Sequence, residues 1–466
     1  MDAAQALWAC VRLQLHPGPR LLHQIWQATQ AQLRPAGCQP TAAMLWAAVR
    51  LGVRPPNAWM AAAVATVAAD VAALEPAAAC QVLWALARLD YRPHSEAMSA
   101  LVARVGADAP RLQPRGWACL AWALGRLAYR PPPAWWAAAS AHLVAALPAC
   151  GEREVCNILW GLGRLRAGQL LSGEQVAALG AAAVGAAEAA TPRQLAVMLS
   201  GCAALAWRPS ERQSQQLLRR ARPLLAAAAA DGSSGAAGSE AAGRSAAVVV
   251  VALAGLGASA PSASWQADLL AALPHLQPRL APQQQVGLLT AAMRLGARPS
   301  GSWVAAAVQP LAPGAGALPP AVLQQLGQCL AAWQRPLPEQ QLQALMMAAV
   351  AAAQRGTAME PAPWEALVGI SLPPPGAAVA EGGPDIQATA HDAPSWAAAE
   401  ASASAGWQSA AEGGQLAPVG AHGLLGTCEP AALVPPSLPL PSFNARRALS
   451  WLVRRQSLAG IAALLP

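Results

Sequence analysis

The sequence predicts an all-α chain, an α-solenoid of helix-turn-helix repeats about 38 residues long, and three observations carry that reading. A nine-residue motif returns at a fixed step of 38: QALWACVRL at 5–13, AMLWAAVRL at 43–51, QVLWALARL at 81–89, CLAWALGRL at 119–127 and NILWGLGRL at 157–165. Apolar positions within each copy follow a helical period, and no stretch alternates as a strand would. Proline-containing turns flank the copies at matching distances. Repetition on this scale marks stacked hairpins, because one helical pair cannot bury its apolar face alone.

The elements follow in order. Each unit has a motif helix, a short exit with a Pro-rich turn, and a partner helix opened by Trp. The turns are RPPNAW at 54–59, RPPPAWW at 130–136, APSASW at 260–265 and RPSGSW at 298–303. Proline is tolerated in a first helical turn because its missing N–H would have no intrahelical acceptor there. WMAAAVATVAADVAAL at 59–74 reads as one such partner helix. A second proline precedes or opens the motif helices: Pro40, Pro76, Pro114, Pro192, Pro282 and Pro320.

Beyond residue 165 the motif loosens. VMLSGCAAL at 197–205, VVVVALAGL at 248–256 and GLLTAAMRL at 287–295 keep its outline, and a worn copy, QCLAAWQRP, spans 328–336. The chain therefore divides into regular repeats at 1–165 and degenerate repeats at 166–345, with a flexible insertion at 226–245. A linker or disordered region follows at 346–442, rich in Pro, Gly and Ala. The last stretch, 443–466, has the pattern of one amphipathic helix. A loosely held tail is its plainest role, with capping, docking or membrane contact left open.

Composition narrows the function classes. The 466 residues include 18 Trp, 42 Pro, 38 Gly, two Tyr and one Phe, and all 31 basic residues are Arg. Up to residue 370 there are 27 Arg against 17 acids, whereas 371–466 carries four Arg against six. The repeats are thus the basic part, which suits a polyanionic partner without demanding one. The nine cysteines are scattered and form no CxxC pair, so buried thiols in a reducing compartment are expected, with neither metal nor cofactor. The most apolar run, AAVVVVALAGLGASA at 246–260, is shorter than a membrane span and lies in repeat register. The opening MDAAQALWAC reads as repeat helix from its first residues, so no targeting peptide is legible. Either the protein stays in the cytosol or the sequence begins downstream of a true N-terminus.

A helical wheel divides the motif by task. With Trp84 at 0°, Leu83, Leu86 and Leu89 form one stripe, suited to pack on the partner helix. Small residues at one and three positions after the Trp flank that stripe and would let neighbouring motif helices approach closely. The Arg four residues after the Trp falls beside the indole, opposite the leucines. The candidate binding row is therefore Trp8 and Arg12, Trp46 and Arg50, Trp84 and Arg88, Trp122 and Arg126, and Trp160 and Arg164, joined later by Arg294. Aromatic faces alternating with cations suit single-stranded nucleic acid, whose bases stack while Arg neutralises phosphate. The residue three before each Trp shares that face and varies. Gln5, Gln81, Cys119 and Asn157 are the base-reading candidates, with Ala43 in the second copy. A purely structural alternative has the Arg covering an indole wedged between repeats. The exit residues Arg54, Arg92, Arg130, Arg208 and Arg298 suit capping of helix-terminal carbonyls.

The motif LWALARLDYRP together with RPPPAWW resembles the octotricopeptide repeat, a helical-pair module of green-algal proteins, over about residues 1–345. Ala58 and Ala134 stand where that family's Pro-Pro-Pro-Glu-Trp block has an acid, and no RAP-type domain is legible in 371–466. The resemblance implies a chloroplast or, alternatively, mitochondrial protein. Such a protein binds particular single-stranded RNA segments and promotes maturation, stability or translation of a transcript, with protein partners in an RNA-processing complex. A protein-binding scaffold using the same row is the alternative. Catalysis is not expected: the sequence holds no Gly-rich phosphate loop, no HExxH and no credible nucleophile arrangement. A small-molecule substrate and a membrane span are likewise not expected.

Overall fold

A computed structural model of the chain describes residues 2–230, 237–259, 261–355, 360 and 362–371. The first half runs α1 (Asp2–Arg12), α2 (Pro19–Gln30), α3 (Leu33–Ala36), α4 (Cys38–Arg50), α5 (Asn57–Ala69), α6 (Pro76–Arg88), α7 (Ser95–Ala107), α8 (Pro114–Leu127), α9 (Pro133–Ala146) and α10 (Glu152–Arg164). It continues with α11 (Gly173–Ala186), α12 (Pro192–Ala204), α13 (Glu211–Ala230), α14 (Ala237–Gly255), α15 (Ala263–Leu276), α16 (Pro282–Arg294), α17 (Gly301–Val308), α18 (Pro320–Trp333), α19 (Glu339–Gln354) and α20 (Ala362–Ser371). Among the described residues there is no strand. The all-α solenoid-type architecture expected from the repeats is what the chain adopts. The helices group into two compact units, Met1–Leu224 with Ala252–Ser259, and Leu225–Val251 with Ala260–Pro466.

In the first unit the motif helices α1, α4, α6, α8, α10 and α12 pack side by side as one layer. Their partners α2, α5, α7, α9 and α11 pack as another. The leucine stripe lies between the layers, with Leu83, Leu86 and Leu89 buried. Pro76, Pro114 and Pro192 open α6, α8 and α12 at their first turns. Pro40 instead lies inside the first turn of α4, which begins at Cys38. Ser172 and Thr191 cap α11 and α12 in reciprocal boxes with Gln175 and Gln194, satisfying amides that the helix leaves unpaired. The partner helix expected over 59–74 stops at Ala69. Asp70 breaks it, and one 3-10 turn, Val71–Ala73, leads to buried Leu74.

The motif helices share a left-handed exit. The residue six places after each anchor has φ between 50° and 77° in nine successive copies: Gln14, Gly52, Asp90, Ala128, Arg166, Ala206, Gly257, Gly296 and Gln334. The residue type varies, so the turn is imposed by the repeat and not by glycine. This column also corrects the register of the worn ninth copy. α18 starts at Pro320 and exits at Gln334, which makes Gln328 the anchor, three residues before the position its sequence suggests.

In the second unit α16 packs on α18 and α18 on α20. Helix α14 absorbs much of the segment that reads as a flexible insertion. Its first turns are held by an Arg244–Glu240 ion pair of 3.4 Å and a Ser245 hydroxyl donating to the Ala241 carbonyl at 2.9 Å. Residues 231–236 lie outside the described residues. Helices α19 and α20 extend order into the stretch that reads as linker from 346. The Trp364 indole is fully buried against Gly327, and its Nε1 donates to Gln324 Oε1 at 3.2 Å. One tryptophan in an Ala-Pro-rich context conveyed no period, and its burial depends on a glycine 37 positions away. The remainder of 346–442 from 372 on, and all of 443–466, lie outside the described residues.

Side-chain donors reaching across neighbouring partner helices fasten both units. In the first, Trp59 Nε1 donates to Thr29 Oγ1 at 3.0 Å and Trp135 Nε1 to the Val102 carbonyl at 2.9 Å. Arg220 donates to the Ala187 and Ala190 carbonyls at 2.9 and 2.8 Å. In the second, Trp303 Nε1 donates to the Leu270 carbonyl at 3.1 Å. These bonds span 30 to 33 residues, so they join one repeat to the next.

Candidate functional site

The spacing that builds the row is local. Trp and Arg four apart on a helix project from adjacent turns, and the leucine stripe fixes which side of the helix faces inward. Trp8 is half exposed, at 50%. Trp46, Trp84, Trp122 and Trp160 are partly covered, and Arg12, Arg50, Arg88 and Arg164 are exposed. The guanidinium of Arg12 lies 5.4 Å from the Trp8 ring centre, and Arg50 and Arg164 each lie 5.8 Å from Trp46 and Trp160. Those separations fall within cation–π range. Three of the five row pairs are thus preassembled at the solvent edge of the motif-helix layer.

The structural reading of the tryptophans holds at one step of the row. The Trp122 and Trp160 rings stack on each other, with centroids 5.9 Å apart and planes inclined 25°. Those two repeats leave no slot between their indoles. The close approach comes from backbone contact. A Cβ on Gly161 would fall 2.0 Å from the Ala121 carbonyl oxygen, and one on Gly125 would fall 2.8 Å from Gly161 Cα. Gly163 and Gly201 repeat this between α10 and α12. The small flanks therefore do what the wheel assigns them.

Arg126 is the exception among the cations. It is half-buried, and its Nη2 lies 3.6 Å from Asp90 Oδ1, on the exit of the preceding motif helix. Arg294 lies on α16 of the second unit, where the anchor position holds Thr290. That hydroxyl is buried and donates to the Val286 carbonyl at 2.9 Å, so the anchor position itself holds no indole.

The variable column divides in exposure. Gln5 and Gln81 are exposed, whereas Cys119 and Asn157 are half-buried. Burial raises the Cys119 thiol above its usual range, opposed by the Arg115 guanidinium nearby. It therefore offers a neutral S–H near pH 7, a weak donor. One of the exit arginines acts as a cap, reaching the neighbouring repeat: Arg208 donates to the Gly255 carbonyl that ends α14. Arg335, outside that set, donates to the Pro299 carbonyl in the turn before α17 at 3.2 Å. Arg54, Arg92, Arg130 and Arg298 are exposed.

Among the described residues no His, Cys, Asp or Glu side chains gather into a metal-binding group. No helix among them is long and apolar enough to cross a membrane. The feature that sequence reading missed is Asp90. Its only signal was a negative charge directly after the motif, and its importance needed the neighbouring helix. No protein-family model matches the chain, and no curated protein matches it significantly.

Proposed function

We propose that this chain is a non-catalytic, sequence-selective binder of single-stranded RNA that acts on maturation, stability or translation of an organellar transcript. The observation that carries this reading is the row of five indoles with cations in one register at the solvent edge of the first unit. Three of its pairs are already in cation–π geometry. Exposed guanidiniums attract phosphate, and the open indole faces offer stacking worth about 1–3 kcal/mol per base. Gln5, Gln81, Cys119 and Asn157 stand beside them at a position free to vary, as modular base selection requires. The resemblance to octotricopeptide repeats supports RNA as the ligand and a chloroplast, or else a mitochondrion, as the compartment.

The test is crosslinking of the full chain in its native cell followed by sequencing of attached RNA. Recovery of one or a few organellar messages is the expected result. Enrichment of proteins with no RNA above background would replace this reading with a scaffold that binds peptides.

A further inference from the structure

The exit column supplies a second charge-setting position for the row. Each exit residue is followed, on the next motif helix, by that helix's cation position. The first five pairs are Gln14 with Arg50, Gly52 with Arg88, Asp90 with Arg126, Ala128 with Arg164, and Arg166 with Ala204. Four of these five steps carry one net positive charge. Where the row cation is missing, at Ala204, the exit residue is itself Arg166. Among these five, Asp90 with Arg126 is the one neutral step, and there the two side chains meet at 3.6 Å. The next pair, Ala206 with Gly255, holds no charged residue, so Asp90 is the one acid in the exit column.

The backbone does not require an acid at this turn. Gln14, Ala128 and Arg166 take the same left-handed conformation, with φ of 56°, 52° and 50° against 51° for Asp90. Asp90 is 72% exposed and Arg126 40%, so the pair sits in water-accessible space and contributes little to folding. Its effect falls on whatever approaches Arg126. A carboxylate bound to a guanidinium occupies the place that a phosphate oxygen would take.

We infer that Asp90 is a positioning residue which acts through Arg126 as an internal competitor for phosphate, so that a polyanion crossing the row loses one backbone contact between the Arg88 and Arg164 steps. This rests on the reading that the row binds RNA. A strand held firmly at the flanking steps and loosely at this one has slack in its backbone where the row passes from the unstacked Trp84 to the stacked Trp122 and Trp160.

The experiment measures binding of a short fluorescein-labelled single-stranded RNA of random sequence to the full chain over a salt series. Asparagine adopts the left-handed turn readily, so Asp90→Asn keeps the exit. It should tighten binding about two- to fivefold, the range expected for releasing one exposed ion pair. It should also steepen the dependence of log K on log salt by about 0.7, one more phosphate contact. In an Arg126→Gln background the same substitution should change nothing. Ala128→Asp, which moves the acid one repeat along, should weaken binding and flatten the slope. Wild-type binding that Asp90→Asn leaves unaltered would overturn the inference alone, as would an equal gain with Arg126 absent. A wild-type chain that binds no RNA would overturn the reading of the row and this inference with it.

Discussion

The Trp160 ring lies on the Trp122 ring because Gly161, its chain neighbour, touches the backbone of Ala121 on the facing helix. One glycine without a side chain thus sets both the distance between α8 and α10 and the state of the indole row at that step. Most experimental consequences of this structure follow from such pairs, in which a residue of one repeat fixes the use of a residue in the next.

Gly161→Ala should destabilise the first unit. The added methyl would sit 2.0 Å from a carbonyl oxygen, so the helices must separate. Overpacking of this kind costs about 1–3 kcal/mol. Gly185→Ala on α11 meets nothing within 4 Å and is the control, expected to stabilise by about 0.5–1 kcal/mol. Thermal unfolding followed by circular dichroism compares them, and equal melting temperatures would count against the backbone contact.

Thr29→Val removes the acceptor for Trp59 Nε1 while keeping the shape of the side chain. Trp59 is fully buried, so its N–H would be left without a partner. The expected loss is about 1–3 kcal/mol, read from urea denaturation. A change within experimental error would mean that water reaches the indole.

Replacing Arg50, Arg88, Arg126 and Arg164 together by Gln should weaken RNA binding and flatten its salt dependence while helicity stays constant. Arg88 and Arg164 are exposed, so their loss leaves the core intact. Because Arg126 is already paired with Asp90, three of the four should account for most of the change in slope. Unaltered affinity would remove these cations from the binding surface.

Asn157→Gln, which copies the side chain of Gln81 into the fifth repeat, should change preference at one nucleotide position. Selection from a randomised RNA pool reads this directly. A uniform change at every position would mean that the variable column does not select bases one repeat at a time.

Burial raises the thiols of Cys156 and Cys202 to about 12, from the ordinary value of 9.0. The folded state therefore favours the neutral thiol, and the unfolded chain loses its proton first as pH rises. Stability from these groups is complete below pH 9.0 and is lost progressively as pH climbs toward 12. Both thiols should resist iodoacetamide at pH 8 in the native chain and react in denaturant. Rapid native labelling of Cys202 would contradict its burial.

Much of the fold is legible because each repeat writes its own wheel. Leu83, Leu86 and Leu89 mark an inner face, Ala87 and Gly125 mark a close approach, and Trp84 with Arg88 marks an outer edge. The worn copies are less legible. With Gln328 at the anchor, the ninth helix has no indole at the anchor position and Ala332 at the cation position, and its register is visible only in the left-handed turn at Gln334. Trp364 has no neighbours of its own pattern, so nothing in the text around it announces burial on Gly327. At the candidate site, the row could be read residue by residue, whereas the neutral step at Asp90 and Arg126 could not.

The sequence by itself determined the helical unit, its step, the burial of the leucine stripe and the placement of indole and guanidinium on one edge. Those follow from a period of 3.6 residues acting within a single helix. Only the tertiary structure decided that Trp122 and Trp160 close on each other, that Arg126 is held by Asp90, and that order runs on through Ser371. These depend on how nearly two backbones approach, which is set by residues tens of positions apart and is not encoded in either helix alone.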